Sequence, residues 1–338
     1  PIGDLKPERT DSWEVGLDMK LFKDFNLGLS WYLANTFNQT FDPQISVSSG
    51  YTTIYLQTGY VRNTGLELSL GYGHTWNNNF RWDSNFTLSH NKNKIKELVR
   101  DYVHPETGEL INKDRLDVGG LGKARFILKE GGTLGDLYTQ SDLKRDDNGM
   151  VDIDPTGIVA IENNLPDIKL GSVFPKANLA WSNHFSWKGI SLSALFTARI
   201  GGIVYSATEA AMDQYGVSER SALARDNGGV LVNNRTLVDA QNYYTTIGSE
   251  SGLPQYYTYN ATNVRLQEAS IGYLIPRKWL GNVCDIQVSV IGRNLWMIYN
   301  KAPFDPESVA TTDNYYQGID YFMLPSTRNI GFNVKINF

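Results

Sequence analysis

Between Lys144 and Pro155 the segment KRDDNGMVDIDP gathers Asp146, Asn148, Asp152 and Asp154 around Gly149, a set of hard oxygen donors of the kind that binds calcium. An EF-hand register wants an acid at the first position and Glu at the twelfth, where this segment has Lys144 and Pro155. The competing reading is an acidic, solvated turn. An ion held there would draw on backbone carbonyls or water to reach about six oxygen ligands. Aromatic rings offer a second chemistry. Tyr51 and Tyr55, Tyr243 and Tyr244, Tyr256, Tyr257 and Tyr259, and Tyr315, Tyr316 and Tyr321 concentrate flat rings with polar tips in connecting segments. Such rings stack on sugar faces or on peptide side chains. Tyr243, Tyr244, Tyr256, Tyr257, Tyr315 and Tyr316 are therefore candidate ligand- or partner-contact residues, against the plainer reading of loop packed on loop.

Covalent chemistry finds no such support. His74, His90, His104 and His184 are scattered without metal-ligand spacing. No nucleophile elbow, HExxH, phosphate loop or defensible Ser/His/Asp grouping is present. The expectation is a protein that is not an enzyme and uses no cofactor other than the candidate calcium. A net charge of −5 without a basic cluster argues against nucleic acid, whose phosphates call for a Lys/Arg footprint. Cys284 is the sole cysteine, so it forms no disulfide within the chain and reads as a small hydrophobe.

The elements that must carry these loops announce themselves by a period of two. Ile330, Phe332, Val334, Ile336 and Phe338 share one parity, with Gly331, Asn333, Lys335 and Asn337 between them. A strand sends those sets to opposite faces. Trp13, Val15, Leu17, Met19 and Leu21 do the same, as do Phe25 to Leu33, Leu66 to Tyr72, Phe80 to Leu88, Leu179 to Phe185, Ile190 to Ala198 and Ile286 to Val290. From Arg265 to Ile275 both parities carry apolar residues, so that strand is read with its faces unassigned.

Nine strands result, and their connectors alternate in length. Short links fall at Lys23-Asp24, Trp76 to Asn79, Trp187 to Gly189 and Pro276 to Asn282; long ones run over about 38–56, 91–175, 201–260 and 300–324. Tight turns on one side and long loops on the other are the mark of a transmembrane antiparallel β-barrel with periplasmic turns and extracellular loops. No apolar run approaches the roughly 20 residues of a membrane helix, so membrane crossing rests on strands. With 19 Tyr and 8 Trp the chain can furnish interfacial girdles, and Trp13, Trp31, Trp82, Trp181, Trp187 and Trp279 lie near strand ends or in apolar parities. Ser206 to Asn227 has the composition of short helices broken near Gly216, a structured loop placed to fold over the pore mouth. An odd strand count does not close in the ordinary bacterial way. The start at Pro1, without Met or signal peptide, is expected to be a processed or truncated end.

Several segments resemble the C-terminal part of SusC-like TonB-dependent transporters, the SusC/RagA family. They are LKPERTDSWEVGLD at Leu5 to Asp18, NTGLELSL at Asn63 to Leu70, NKNKI at Asn91 to Ile95, NVRLQEASIGYLIP at Asn263 to Pro276, GRNLW at Gly292 to Trp296, APFDPE at Ala302 to Glu307, and RNIGFNVKINF at Arg328 to Phe338. Their order and spacing carry the resemblance over nearly the whole chain. It implies a 22-stranded outer-membrane barrel with an N-terminal plug absent from this sequence, so that residues 1–338 are the C-terminal portion of the wall. It also implies energy from TonB, a SusD-like surface lipoprotein as partner, and outer-membrane lipid around the strands. Phe338 resembles the C-terminal signal read by the assembly machinery, though it also simply completes an apolar stripe. The expected function is import of a glycan or peptide across the Gram-negative outer membrane, with the loops at the cell surface. A passive porin or surface adhesin is the alternative. A hydrolase lacks its nucleophile and base, and a soluble sandwich has no reason for connectors of alternating length.

Overall fold

The computed structural model describes residues 6–41, 55–103, 108–250, 252–311 and 316–337. Nine strands pair in chain order into one antiparallel sheet: β1 (Arg9–Leu21), β2 (Phe25–Phe41), β3 (Leu56–Thr75), β4 (Arg81–Glu97), β5 (Ala177–Trp187), β6 (Ile190–Ile200), β7 (Asn263–Ile275), β8 (Asp285–Asn300) and β9 (Asn329–Asn337). The sheet is open, since β1 and β9 form its two edges and do not pair with each other. The tightest turn shows how the short links are made. Lys188 (φ 48°) and Gly189 (φ 86°) join the Trp187↔Ile190 pair, two left-handed residues in the hairpin turn whose twist matches the strands.

Alternation sorts the faces as expected. Trp13 is 73% exposed and Phe332 83%, and Val15, Leu70, Leu192, Ile271 and Val290 lie on the same outer face, also exposed. Outward apolar side chains in such number fit a lipid-facing surface rather than a water-facing one. The uncertain segment resolves through a bulge. Leu195 pairs with Glu268 while Phe196 pairs with Leu266, so Gln267 is the extra residue. The inner face therefore switches from Asn263 and Arg265 above the bulge to Glu268, Ser270 and Gly272 below it, which scatters apolar residues over both parities.

Two expected connectors begin later than their hydrophobicity implied. β2 runs to Phe41 and β4 to Glu97, so the loops expected from residues 38 and 91 start past those positions. β3 spans 20 residues and β4 17, well beyond the roughly ten needed to cross a bilayer. Above the apolar band the ladder continues on polar side chains, with Asn91 Nδ2 and Asn93 Nδ2 both donating to Asn63 Oδ1. Strand pairing needs backbone partners, not lipid, so it outlasts the hydrophobic pattern.

The hydrophobic core lies in the long connectors. It begins on the strand extensions at Phe41, Leu56, Val61 and Ile95 and continues through Leu116, Phe126, Leu128, Leu137, Val173, Tyr257 and Ile319. A four-stranded sheet of Ile168–Ser172, Asp136–Thr139, Ala124–Lys129 and Arg115–Leu121 forms much of it. Three helices complete this crown: α1 (Ala207–Gln214), α2 (Glu219–Asp226) and α3 (Ala240–Gly248). Each is capped by a side chain, with Ser206, Ser218 and Asp239 accepting from Glu209 N, Ser221 N and Asn242 N. The helix break expected near Gly216 is there, at φ 68°.

Candidate functional site

Two surfaces are available to a passing solute: the polar face of the sheet and the crown above it. On the polar face short side chains stand in rows. One row runs Lys20, Asn26, Gly71, Asn85, Ser182, Leu195, Glu268 and Arg293 to Asn329 on β9, with Leu195 its one apolar member. On this face charges pair locally, with Arg293 Nε 2.8 Å from Glu268 Oε2 and Arg81 Nη2 2.6 Å from Asp83 Oδ1, while Ser30 donates to Glu14 Oε1 at 2.7 Å. His184 Nδ1 is 2.8 Å from Ser193 Oγ, and Asp83, its registered neighbour across β4, is paired with Arg81. Among the described residues no cluster of three His, Cys, Asp or Glu side chains is placed to hold a metal ion.

The crown is fixed by a buried charge. Asp213 on α1 accepts from Tyr257 Oη at 2.9 Å and from the Ser218 hydroxyl, and Arg220 Nε lies 2.8 Å from its Oδ2. The Arg220 guanidinium also covers the Tyr257 ring at 5.0 Å and contacts Glu209 and Tyr259. Burial first, then the neighbouring Asp213 carboxylate, raises the Tyr257 hydroxyl above its ordinary range, so it stays a donor. α1, α2 and the segment before β7 are thereby held as one unit. A second tie joins two long connectors: Ser206 Oγ donates to Asp320 Oδ2 at 2.6 Å, and Tyr205 N bonds Gly318 O.

The tyrosines divide by depth. Tyr257 is 1% exposed and belongs to the core, a correction to its reading as a contact residue, because its hydroxyl is spent on Asp213. Tyr243 and Tyr244 meet edge to face at 5.4 Å and, with Tyr256, pack half-buried against the core; burial pushes Tyr243 up to about 12. Tyr316 stays exposed, its ring edge-on to Phe126 at 6.2 Å. Tyr51, Tyr315 and Phe338 lie outside the described residues.

The acidic segment folds as two successive turns. Asp146 Oδ1 accepts from Asn148 N and Met150 N, Asp154 Oδ1 accepts from Thr156 N and Ile158 N, and Asp152 pairs with Lys144 Nζ at 2.9 Å. The acids are engaged by backbone amides and a lysine rather than drawn around one centre, so the structure does not bring Asp146, Asn148, Asp152 and Asp154 together as a ligand set. Sequence reasoning missed the Asp213 network and the buried Arg265 with Asp305 and Glu307. Tyr257 lies 44 residues from Asp213, and Asp305 lies 40 from Arg265, and nothing local in the sequence marks such pairs.

Residues 1–262 match the family model described as TonB dependent receptor-like, beta-barrel. The chain belongs to this family. TonB-dependent receptors P3 and P26 of Formosa agariphila are 25% and 24% identical to it, each over 98% of this chain and 34% of the relative's length. Among solved structures, the RagAB peptide importer in its closed-closed state superposes with a TM-score of 0.72 at 18% identity, covering 99% of this chain and 36% of that one; the RagAB peptide transporter gives 0.72 at 19% identity over 98% and 35%. The chain thus spans about a third of the relatives it matches. The TonB-dependent reading of LKPERTDSWEVGLD and its companion motifs is borne out in family, and the barrel-wall fold it implied is borne out in the likeness to RagAB.

Proposed function

We propose that this TonB-dependent receptor chain forms nine strands of the wall, and the crown above them, of an outer-membrane importer that takes up a peptide or glycan oligomer. The observation that carries the reading is the inversion of the fold: apolar side chains point outward from the sheet, polar rows line its inner face, and the packed core sits in the long loops. The strands scaffold a hydrated path, and the crown supplies the surface a substrate or a SusD-like lipoprotein meets. TonB couples energy through a plug carried elsewhere in the protein. Among candidate substrates a peptide is favoured by the likeness to the wall of the RagAB peptide importer. Tyr244 and the exposed Tyr316 are the ring faces offered to it.

Uptake of a labelled oligopeptide by cells with and without TonB tests the reading. Uptake lost without TonB is expected, and uptake indifferent to TonB would favour a passive porin. Tyr244→Ala with Tyr316→Ala should lower uptake while the barrel assembles as before; undiminished uptake removes these rings from the path.

A further inference from the structure

At the short-turn end of the sheet, the links β5–β6 and β7–β8 lie side by side, with Leu274 N bonded to Gly189 O at 2.7 Å. Lys188 occupies the first link, its Nζ 4.7 Å from the centre of the Trp187 ring. The second contains a single 3₁₀ turn, Arg277–Leu280, in which Arg277 and Lys278 follow Pro276 and precede the exposed Trp279. Arg277 Nη2 donates to Val283 O at 3.0 Å, which closes the turn on itself. Three cations therefore occupy adjoining turns, and among the described residues none of them is paired with a carboxylate. Of the acids at this end of the sheet, Asp83 is held by Arg81, and Asp285, which opens β8 just past the second turn, forms no ion pair with the three cations among the described residues.

The outer face beside these turns is aromatic. Rings run in contact from Phe25 through Tyr72 to Trp82 and Phe185, with Tyr72 4.7 Å from Phe25 and 5.1 Å from Trp82, and Trp82 stacked on Phe185 at 5.8 Å. Trp187 stands on this face at the strand end, and Trp279 is 66% exposed in the turn beyond it. An amphipathic ring belt places the bilayer interface at this level, and cations just beyond it stand at the depth of lipid phosphates.

We propose that the turns 187–190 and 276–284 form a headgroup site for an anionic phospholipid of the periplasmic leaflet. Lys188, Arg277 and Lys278 hold its phosphodiester, and Trp187 and Trp279 flank the glycerol region. The site rests on the barrel reading above. Charge complementarity selects its occupant: three cations, none of them paired with a carboxylate, outnumber the one acid beside them, Asp285, and favour a net negative headgroup over a zwitterionic one, whose ammonium they repel. Such a site ties this sector of the wall to one leaflet depth, next to the bulged strand β7.

Native mass spectrometry of the full-length transporter, purified in mild detergent and offered phosphatidylglycerol or phosphatidylcholine of equal chain length, tests it. The wild type should retain phosphatidylglycerol preferentially, and each cation neutralised among Lys188→Gln, Arg277→Gln and Lys278→Gln should weaken retention roughly fivefold. Lys113→Gln, in the crown, should leave retention unchanged. Equal retention of the two lipids, or a triple variant that keeps its preference, would overturn the site while leaving the barrel intact. Absence of any bound lipid, with release from membranes without detergent, would overturn the barrel reading and the site together. Trp279→Phe supplies a second readout, because brominated phosphatidylglycerol should quench wild-type fluorescence more than it quenches this variant; equal quenching in both would also refute the site.

Discussion

Arg265 and Asp305, forty residues apart, form a buried ion pair in which Nη2 lies 2.9 Å from Oδ1, with side chains only 5% and 9% exposed. Glu307 Oε2 joins it at 3.1 Å, and Asn263 Oδ1 accepts from the same guanidinium. Burial raises the Asp305 carboxyl, but the Arg265 guanidinium, the Glu307 amide and Ser326 together outweigh it and hold the group below the usual carboxylate range. The pair pins the connector after β8 to the top of β7.

Arg265→Met should strand two carboxylates and cost about 3 kcal/mol, whereas Asp305→Asn leaves Glu307 as a partner and should cost less. The temperature at which the folded electrophoretic band of the purified transporter is lost gives the comparison. Equal losses for the two variants would refute the ranking.

Tyr32 lies across the wall on Gly65, its registered neighbour, and donates to Asn91 Oδ1 at 3.2 Å. A Cβ at Gly65 would come within 2.2 Å of the Tyr32 ring, so Gly65→Ala should destabilise by about 1–3 kcal/mol. In the Tyr32→Ala background the same change should cost much less. A double-mutant cycle with no coupling would show that the ring and the glycine are independent.

Asp167 lies 2.7 Å from Arg115 Nε and 2.9 Å from Lys129 Nζ, a clamp on the crown sheet. Arg115 first, and Lys129 with it, hold its carboxyl well below the usual carboxylate range against the opposing effect of burial. A carboxyl depressed in the fold contributes stability that is complete above its unfolded value of about 4 and is lost as pH falls through the folded value. Hydrogen exchange over residues 115–129 should therefore quicken, beyond the intrinsic rate change, as pH drops from about 6 to 3. Asp167→Asn should be less protected at pH 6 and show a flatter pH response; a wild-type slope in that variant would assign the effect elsewhere.

Tyr257→Phe should cost about 1 kcal/mol, since Asp213 keeps Ser218 and Arg220 as partners. Asp213→Ala should cost more, because it leaves Arg220 without its buried anion. Proteolytic nicking of residues 207–248 on intact cells reads both, and the reverse order of sensitivity would sink this account of the crown.

Strand positions, the outward set from Trp13 to Ile336 and the alternation of connectors were legible in the sequence, because a period of two is a local property and lipid rewards one face of it uniformly. Composition likewise placed helices either side of Gly216, where capping residues act within one turn. Tertiary structure decided the rest. Gln267 became a bulge because β6 and β8 keep their own registers, which no single strand records. β2 and β4 outran their apolar stripes because neighbours at Asn63 and Val61 continued the ladder. Tyr257 turned inward, and Arg265 found Asp305, because buried charges need partners that only the closed crown brings within hydrogen-bond reach.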